Sequence, residues 1–304
     1  MDRTTARDSG DTDDLTARCA DLVAERYVDP EAGERAARRL RERALDGTYD
    51  GLGSAELAAA LTHDLQDAVA DPHLRVIHHP GGVPPTQDPE AETTHWREQA
   101  RRSAGGVRRV ERLDGNVALV ELGPVLTPAG PSWDAVTAAM ALVADADALV
   151  LDVRGCRGGD PDTVQLLLSH VVGEEPVRLV DIESREEGLH QRWTHPVAAR
   201  RFGPEKPLVV LTSGSTFSGG EELAFDVRML GRGRVVGERT RGGANPRVGV
   251  ALDGSLELAV SVARARSPHD GSTWEGVGVS PDVECPADEA LQHAVALLAQ
   301  EWPA

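Results

Sequence analysis

Lysine is all but absent. The 304-residue chain has one, Lys206, and its other strong bases are arginines. Any general base drawn from lysine therefore has a single candidate. Cysteine is scarce: Cys19, Cys156 and Cys285 are an odd number without metal-ligand spacing, which points to reduced, mostly buried thiols and no metal site. Positive charge is short overall, with 32 Lys+Arg against 50 Asp+Glu and a formal net charge of −18. Such a chain suits neither nucleic acid nor an anionic membrane, since both need basic patches. No run of apolar residues approaches the roughly 18 needed to span a bilayer. The opening MDRTTARDSGDTDD has neither the basic nor the apolar segment of a secretory leader, so a cytoplasmic location is expected.

What is present suits a sizeable core. Apolar residues make up 40% of a chain long enough for one large domain or two modest ones. Residues 1–14 read as a solvated, disordered tail. Residues 15–79 read as an N-terminal helical domain. Leu15, Cys19, Leu22, Val23 and Tyr27 share one helical face, Asp29-Pro30 ends that helix and caps the next, and Ser54 caps a third bearing Leu57, Leu61 and Leu65. His73–His79 suits a short strand. Residues 80–107 mix Pro, Gly, Glu, Gln and Arg without periodicity and read as a linker. From 108 to 304 strand and helix patterns alternate: NVALVEL, ADALVLDV and PLVVLT as strands, 161–172, 219–230 and 288–300 as helices. The centre ALVL is typical of a strand buried on both faces, and the expected core is a layered α/β sheet.

Two loops follow such strands and open helices, where α/β sheets place their sites. The first is DVRGCRGGD, 152–160, whose glycines permit close backbone approach; it is neither a dinucleotide nor a phosphate-loop motif, and a tight structural turn is the competing reading. The second is TSGSTFSGGEE, 212–222. Ser218-x-x-Glu221 suits a capping box, and Ser218 equally suits a nucleophile at a helix N-terminus with the Gly219 N–H behind it. Glu275 in STWEGVGVSPDV and His73 in Asp71-Pro72-His73 have no distinction on local sequence alone, and His73 weighs no more than His269.

Taken in order, DPHLRV, ALVLDVRGCRGG, PLVVLTSGSTFSGGEELA, GRVVGERTRGGANP and STWEGVGVSPDV resemble the tail-specific (C-terminal processing) serine peptidase family, in the branch of the tricorn core and the interphotoreceptor retinoid-binding modules. The resemblance covers roughly residues 15–300. It implies a crotonase/ClpP-like core behind the helical domain, without the usual PDZ domain. It places Ser218 on the family nucleophile, Gly159 and Gly219 on the oxyanion donors, Glu275 on the acid and His73 on the base. Where many members carry a catalytic lysine this chain has Gly243, and Lys206 precedes the strand leading to Ser218, on the wrong side of the site. A Ser–Lys dyad is therefore not expected, and histidine oriented by a carboxylate takes its place. Asn245 stands where relatives often have histidine. Asn245 and Trp274 are the candidate substrate-binding residues.

The implied activity is peptide-bond hydrolysis by acyl transfer, with a peptide or protein as partner and no cofactor. Two alternatives share the fold: a module binding a hydrophobic small molecule, and a biosynthetic enzyme that keeps the oxyanion donors without proteolysis. A homo-oligomer stays open.

Overall fold

The computed structural model describes residues 9–84 and 89–301. In chain order the helices are α1 (Ser9–Arg26), α2 (Pro30–Leu45), α3 (Ser54–Ala68), α4 (Pro89–Ser103), α5 (Ala129–Val143), α6 (Pro161–Ser169), α7 (Gly219–Met229) and α8 (Ala290–Glu301). The strands are β1 (Arg75–His78), β2 (Val107–Arg112), β3 (Val117–Leu122), β4 (Ala148–Asp152), β5 (Arg178–Ser184), β6 (Gly188–Trp193), β7 (Leu208–Thr212), β8 (Arg234–Gly237), β9 (Arg247–Ala251), β10 (Leu256–Ser261), β11 (Ala263–Arg266) and β12 (Val283–Glu284). They form two compact units, one of residues 1–92, 182–190 and 245–265, the other of residues 93–181, 191–244 and 266–304.

The first unit begins with the expected helices. Asp29 caps α2 by accepting the Ala32 N–H at 3.0 Å, with Pro30 in the first turn. Leu15, Cys19, Val23, Leu40, Leu57 and Leu61 meet in one apolar cluster. Its polar edge is held by Asp64, which accepts the Tyr49 hydroxyl at 2.8 Å and pairs with Arg39 and Arg43. The other side of the cluster is a sheet of order β1-β10-β9, antiparallel throughout, with Val76 opposite Leu258. Leu256, Leu258 and Val260 carry its buried face into the cluster. The turn from β9 to β10 is Asp253-Gly254; Asp253 accepts the N–H groups of Ser255 and Leu256 at 2.6 and 2.7 Å.

The second unit is built on a six-stranded sheet of order β12-β8-β7-β4-β3-β2. All pairs are parallel except β2 with β3. The two central strands, ALVLD and LVVLT, are buried at every position, as continuous apolar runs in a covered parallel sheet should be. One face packs on Ala290, Ala294 and Leu298 of α8. Because β4 and β7 are parallel neighbours, the loops leaving their C-terminal ends lie side by side. Lys206 lies before the start of β7, donating to the Ala144 and Ala146 carbonyls, so it sits at the strand end opposite these loops. A third sheet has the order β11-β5-β6.

Three expectations are corrected. Residues 9–14 are not part of a disordered tail, because α1 starts at Ser9 and buries Thr12 one turn before Leu15; residues 1–8 lie outside the described residues. The span 80–107 is not simply a linker, since it holds α4. That helix buries only Ala100, so it lacks an apolar stripe, and Glu98 binds Arg101 and Arg102 along its surface. The helical domain does not stop at residue 79, nor is 108–304 one continuous core: β9 and β10 belong to the first unit.

Candidate active site

The first loop leaves β4 at Asp152, which holds Arg154 through both carboxylate oxygens, at 2.9 and 2.6 Å. It ends at Asp160, the cap of α6, which accepts the N–H groups of Asp162 and Thr163. Between them Gly158 and Gly159 adopt φ of 114° and 129°. Gly159 forms an isolated parallel bridge with Leu126, in which Leu126 N–H donates to the Gly158 carbonyl and Asp160 N–H to the Leu126 carbonyl. Peptide groups alternate along an extended segment, so the N–H of Gly159 itself points to the opposite side. A Cβ there would lie 2.1 Å from the Leu126 oxygen, so only glycine fits.

The second loop leaves β7 at Thr212 and reaches Ser218, at φ 52° and ψ −121°. A serine in this region stores strain of about 1–3 kcal/mol. The two loops are laced together: Phe217 N–H donates to the Cys156 carbonyl at 3.0 Å. A Cβ on Gly158 would lie 3.2 Å from Ser218 Oγ, and one on Gly219 3.4 Å from the Gly159 nitrogen. Glycine backbone thus runs directly against the serine. Gly219 opens α7, where the first N–H groups have no acceptor within the helix. Ser218 is half-buried between buried neighbours. Beneath it Cys156 is fully buried, and burial pushes its thiol up to about 11, which removes it as a competing nucleophile.

The capping-box expectation is met on one side. Glu221 accepts the Ser218 N–H at 2.8 Å, but its own N–H goes to the Ser218 carbonyl at 2.8 Å, and the hydroxyl makes no cap bond. The Glu221 carboxylate has a larger task. It also accepts the Thr240 hydroxyl at 2.5 Å and the N–H groups of Gly242 and Gly243 at 2.6 and 2.8 Å. Burial raises its pKa and these four donors oppose the rise. The carboxylate thereby ties the serine's helix to segment 239–244. That segment in turn fixes Glu275, whose carboxylate accepts the Ala244 N–H at 2.6 Å. Sequence reasoning missed Glu221 and Thr240 as a hub; the signal was Glu221 itself, noted only as a cap. Replacing Glu221 by glutamine puts an amide N–H₂ among N–H donors. The expected result is a loss of about 1–3 kcal/mol in denaturant unfolding, with kcat falling more than KM rises.

Trp274 is corrected from substrate contact to structural anchor. Its ring is 2% exposed, packs 4.6 Å from Phe225, and donates its indole N–H to the Gly243 carbonyl at 3.0 Å. His73 and Asn245 belong to the first unit, and both are buried. The His73 N–H donates to Asp71 at 2.8 Å, and Asp71 also accepts the Tyr27 hydroxyl at 3.0 Å, so the turn between α3 and β1 is locked. His269 is exposed, on a turn in which its N–H donates to Ser267. The second unit thus brings together Ser218, Gly159 and Gly219, and links Glu275 to them through Glu221 and segment 239–244.

One turn along α7, Glu222 and Asp226 are buried with Arg192 3.8 Å from Glu222. Desolvation pushes Glu222 up to about 7 and Asp226 well above its usual range. For an acid with a raised folded pKa, stability is full below the unfolded value and is lost as pH climbs through the folded one. Glu222→Gln should therefore raise Tm more at pH 8 than at pH 5, as thermal melts at both pH values would show.

A cavity of about 560 Å³ opens at the C-terminal ends of β3, β4, β7 and β8, lined by Glu121, Asp152, Arg154, Ser213, Glu238 and Asp288 among others. Its walls are polar and charged, which does not suit a hydrophobic ligand. Ser218 is not on its wall.

The second unit is thus a mixed α/β fold in which a serine at positive φ stands between a parallel strand and a helix, with glycine backbone against it. The chain belongs to peptidase family S41, a serine peptidase family: "Peptidase family S41" matches residues 121–285, and the N-terminal domain of peptidase S41 in eukaryotic IRBP matches residues 10–103. The chloroplastic C-terminal processing peptidase of Tetradesmus obliquus is 34% identical over 137 residues, 45% of this chain and 28% of that protein. Tricorn protease homolog 1 of Streptomyces coelicolor is 27% identical over 195 residues, 57% of this chain and 16% of that protein. The matches thus span less than a third of those relatives' length. The solved photosystem II D1 C-terminal processing protease shares the fold, with a TM-score of 0.55 at 18% identity over 91% of this chain and 94% of that one.

Proposed function

We propose that the chain is a serine endopeptidase with a Ser218/His73/Glu275 site. The observation that carries this reading is the strained Ser218 set against the Gly158–Gly159 backbone. Backbone strain of this kind clusters at functional sites, and here it falls on a half-buried serine packed against glycine backbone. Ser218 Oγ attacks the carbonyl carbon of the peptide bond. His73 takes the hydroxyl proton, and Glu275 stabilises the imidazolium that results. The N–H groups of Gly159 and Gly219 receive the oxyanion, whose charge exists only once attack has begun, so they favour the transition state over bound substrate. Collapse breaks the C–N bond as His73 returns its proton to the leaving amine. Water, deprotonated by the same histidine, then releases the acyl group and restores Ser218.

Support comes from membership of family S41 and from the chemistry of the alternatives. Lys206 is anchored on carbonyls at the far end of β7, and by the family resemblance Gly243 stands where many members carry the lysine of a dyad. The test is covalent labelling of the full chain with a fluorophosphonate probe, followed by peptide mapping. An adduct on Ser218 supports the reading; no adduct, or one on another serine, rejects it.

A further inference from the structure

Arg241, like Arg232, carries its guanidinium over an aromatic ring, and of the two it is the exposed one. Its guanidinium lies 4.8 Å from the centroid of the Phe217 ring, and Phe217 immediately precedes Ser218. Its backbone is fixed on both sides. The Arg241 N–H donates to the Thr216 carbonyl at 3.1 Å, while neighbouring Thr240 and Gly242 both donate to Glu221. The cation is therefore carried on the segment that hangs from the nucleophile's own helix.

The side chain is exposed, whereas Phe217 beneath it is 4% exposed. In a chain of net charge −18, arginines find carboxylates easily: Arg154 and Arg178 each hold one at 2.6 Å. Arg241 pairs with none among the described residues. The acids that flank segments 215–220 and 239–244 are already engaged: Glu221 accepts the Ser218, Gly242 and Gly243 N–H groups and the Thr240 hydroxyl, and Glu238 accepts the N–H groups of Gly214 and Ala287. A guanidinium held by its face over a ring keeps its fork of N–H donors available to a ligand. That fork matches the two oxygens of a carboxylate.

We propose that Arg241 is a specificity residue that binds a carboxylate of the substrate beside the bond to be cleaved. This rests on the peptidase reading above and names its substrate class: peptides with an acidic side chain flanking the scissile bond, or with a free C-terminal carboxylate placed there. Both sources present the same group.

The test uses the full chain and quenched fluorogenic peptides in which each position flanking the cleaved bond carries Glu, Gln or Lys. Each peptide is made with a free-acid and an amidated C-terminus. Wild type is expected to favour Glu over Gln at one flanking position, or free acid over amide, by about tenfold or more in kcat/KM. The arm that shows the ratio identifies the source of the carboxylate. Arg241→Ala should bring that ratio close to one, and Arg241→Glu should invert it in favour of Lys. Equal rates in both arms for wild type, or a wild-type preference surviving in Arg241→Glu, would overturn the proposal. Binding of the same peptides to Ser218→Ala protein, followed by fluorescence anisotropy, separates the two readings. Carboxylate-dependent binding that disappears when Arg241→Glu is added supports the role of Arg241 even if the chain hydrolyses nothing. Binding indifferent to the carboxylate rejects it even if the chain is a peptidase.

Discussion

Ser218→Ala is expected to abolish fluorophosphonate labelling and to lower peptide turnover by roughly 10⁴–10⁶-fold, the range seen when a serine nucleophile is removed and only oxyanion donors and binding remain. Stability should hardly change, because the Ser218 hydroxyl makes no cap bond and alanine has the same difficulty with a φ of 52°. Were the serine a helix cap, the same change would cost about 0.5–2 kcal/mol and spare activity. Ser218→Gly sharpens the contrast. It should remove the activity equally while raising stability by about 1 kcal/mol, because glycine adopts positive φ without a Cβ clash. Urea denaturation of both variants beside the kinetics decides it. A Ser218→Ala protein that is less stable but still turns over peptides rejects the nucleophile.

His73→Ala is the second large effect. Without a base the hydroxyl of Ser218 stays protonated, and turnover should fall by about 10⁴-fold or more, to a residual rate similar to that of Ser218→Ala. The double variant should be no worse than either single one, since the two groups act in one step. His269→Ala should leave the rate where it was. If His269→Ala removes the activity and His73→Ala does not, the assignment of the base is overturned. Because His73 is buried on a turn locked by Asp71, a melting curve of His73→Ala belongs beside the kinetics, to show that the loss is chemical.

The elements that the sequence displayed best were those whose burial is uniform. ALVL and LVVL are buried at every residue, so an apolar run between turn residues was enough to place them. The loop 212–222 was legible for another reason: two glycines behind a serine exceed what a cap requires, and both are closely packed, Gly219 against Gly159 and Gly220 against Cys156. What escaped was either solvated or remote. α4 and β6 bury almost nothing, so no period marks them. The membership of β9 and β10 in the first unit depends on pairing with β1, far away in the chain, which no local pattern encodes. The tail was misjudged because acidic residues mask the buried Thr12 among them. Trp274 was read by type, as an aromatic near a site. Its indole N–H, satisfied inside the protein, makes it an anchor.

The scattered make-up of the first unit bears on how the chain is made. Its helices and β1 leave the ribosome early, but β10, the strand that must pair with β1 and close the cluster of Leu40, Leu57 and Leu61, follows only after most of the second unit. At about 5–20 residues per second that delay is on the order of ten seconds. For that interval the nascent helical segment carries an uncovered apolar face and an unpaired strand edge, the two features that recruit chaperones and invite premature association. Slowed translation over residues 93–245 should therefore harm the yield of soluble protein more than equal slowing after residue 265, when both partners of that sheet are already present.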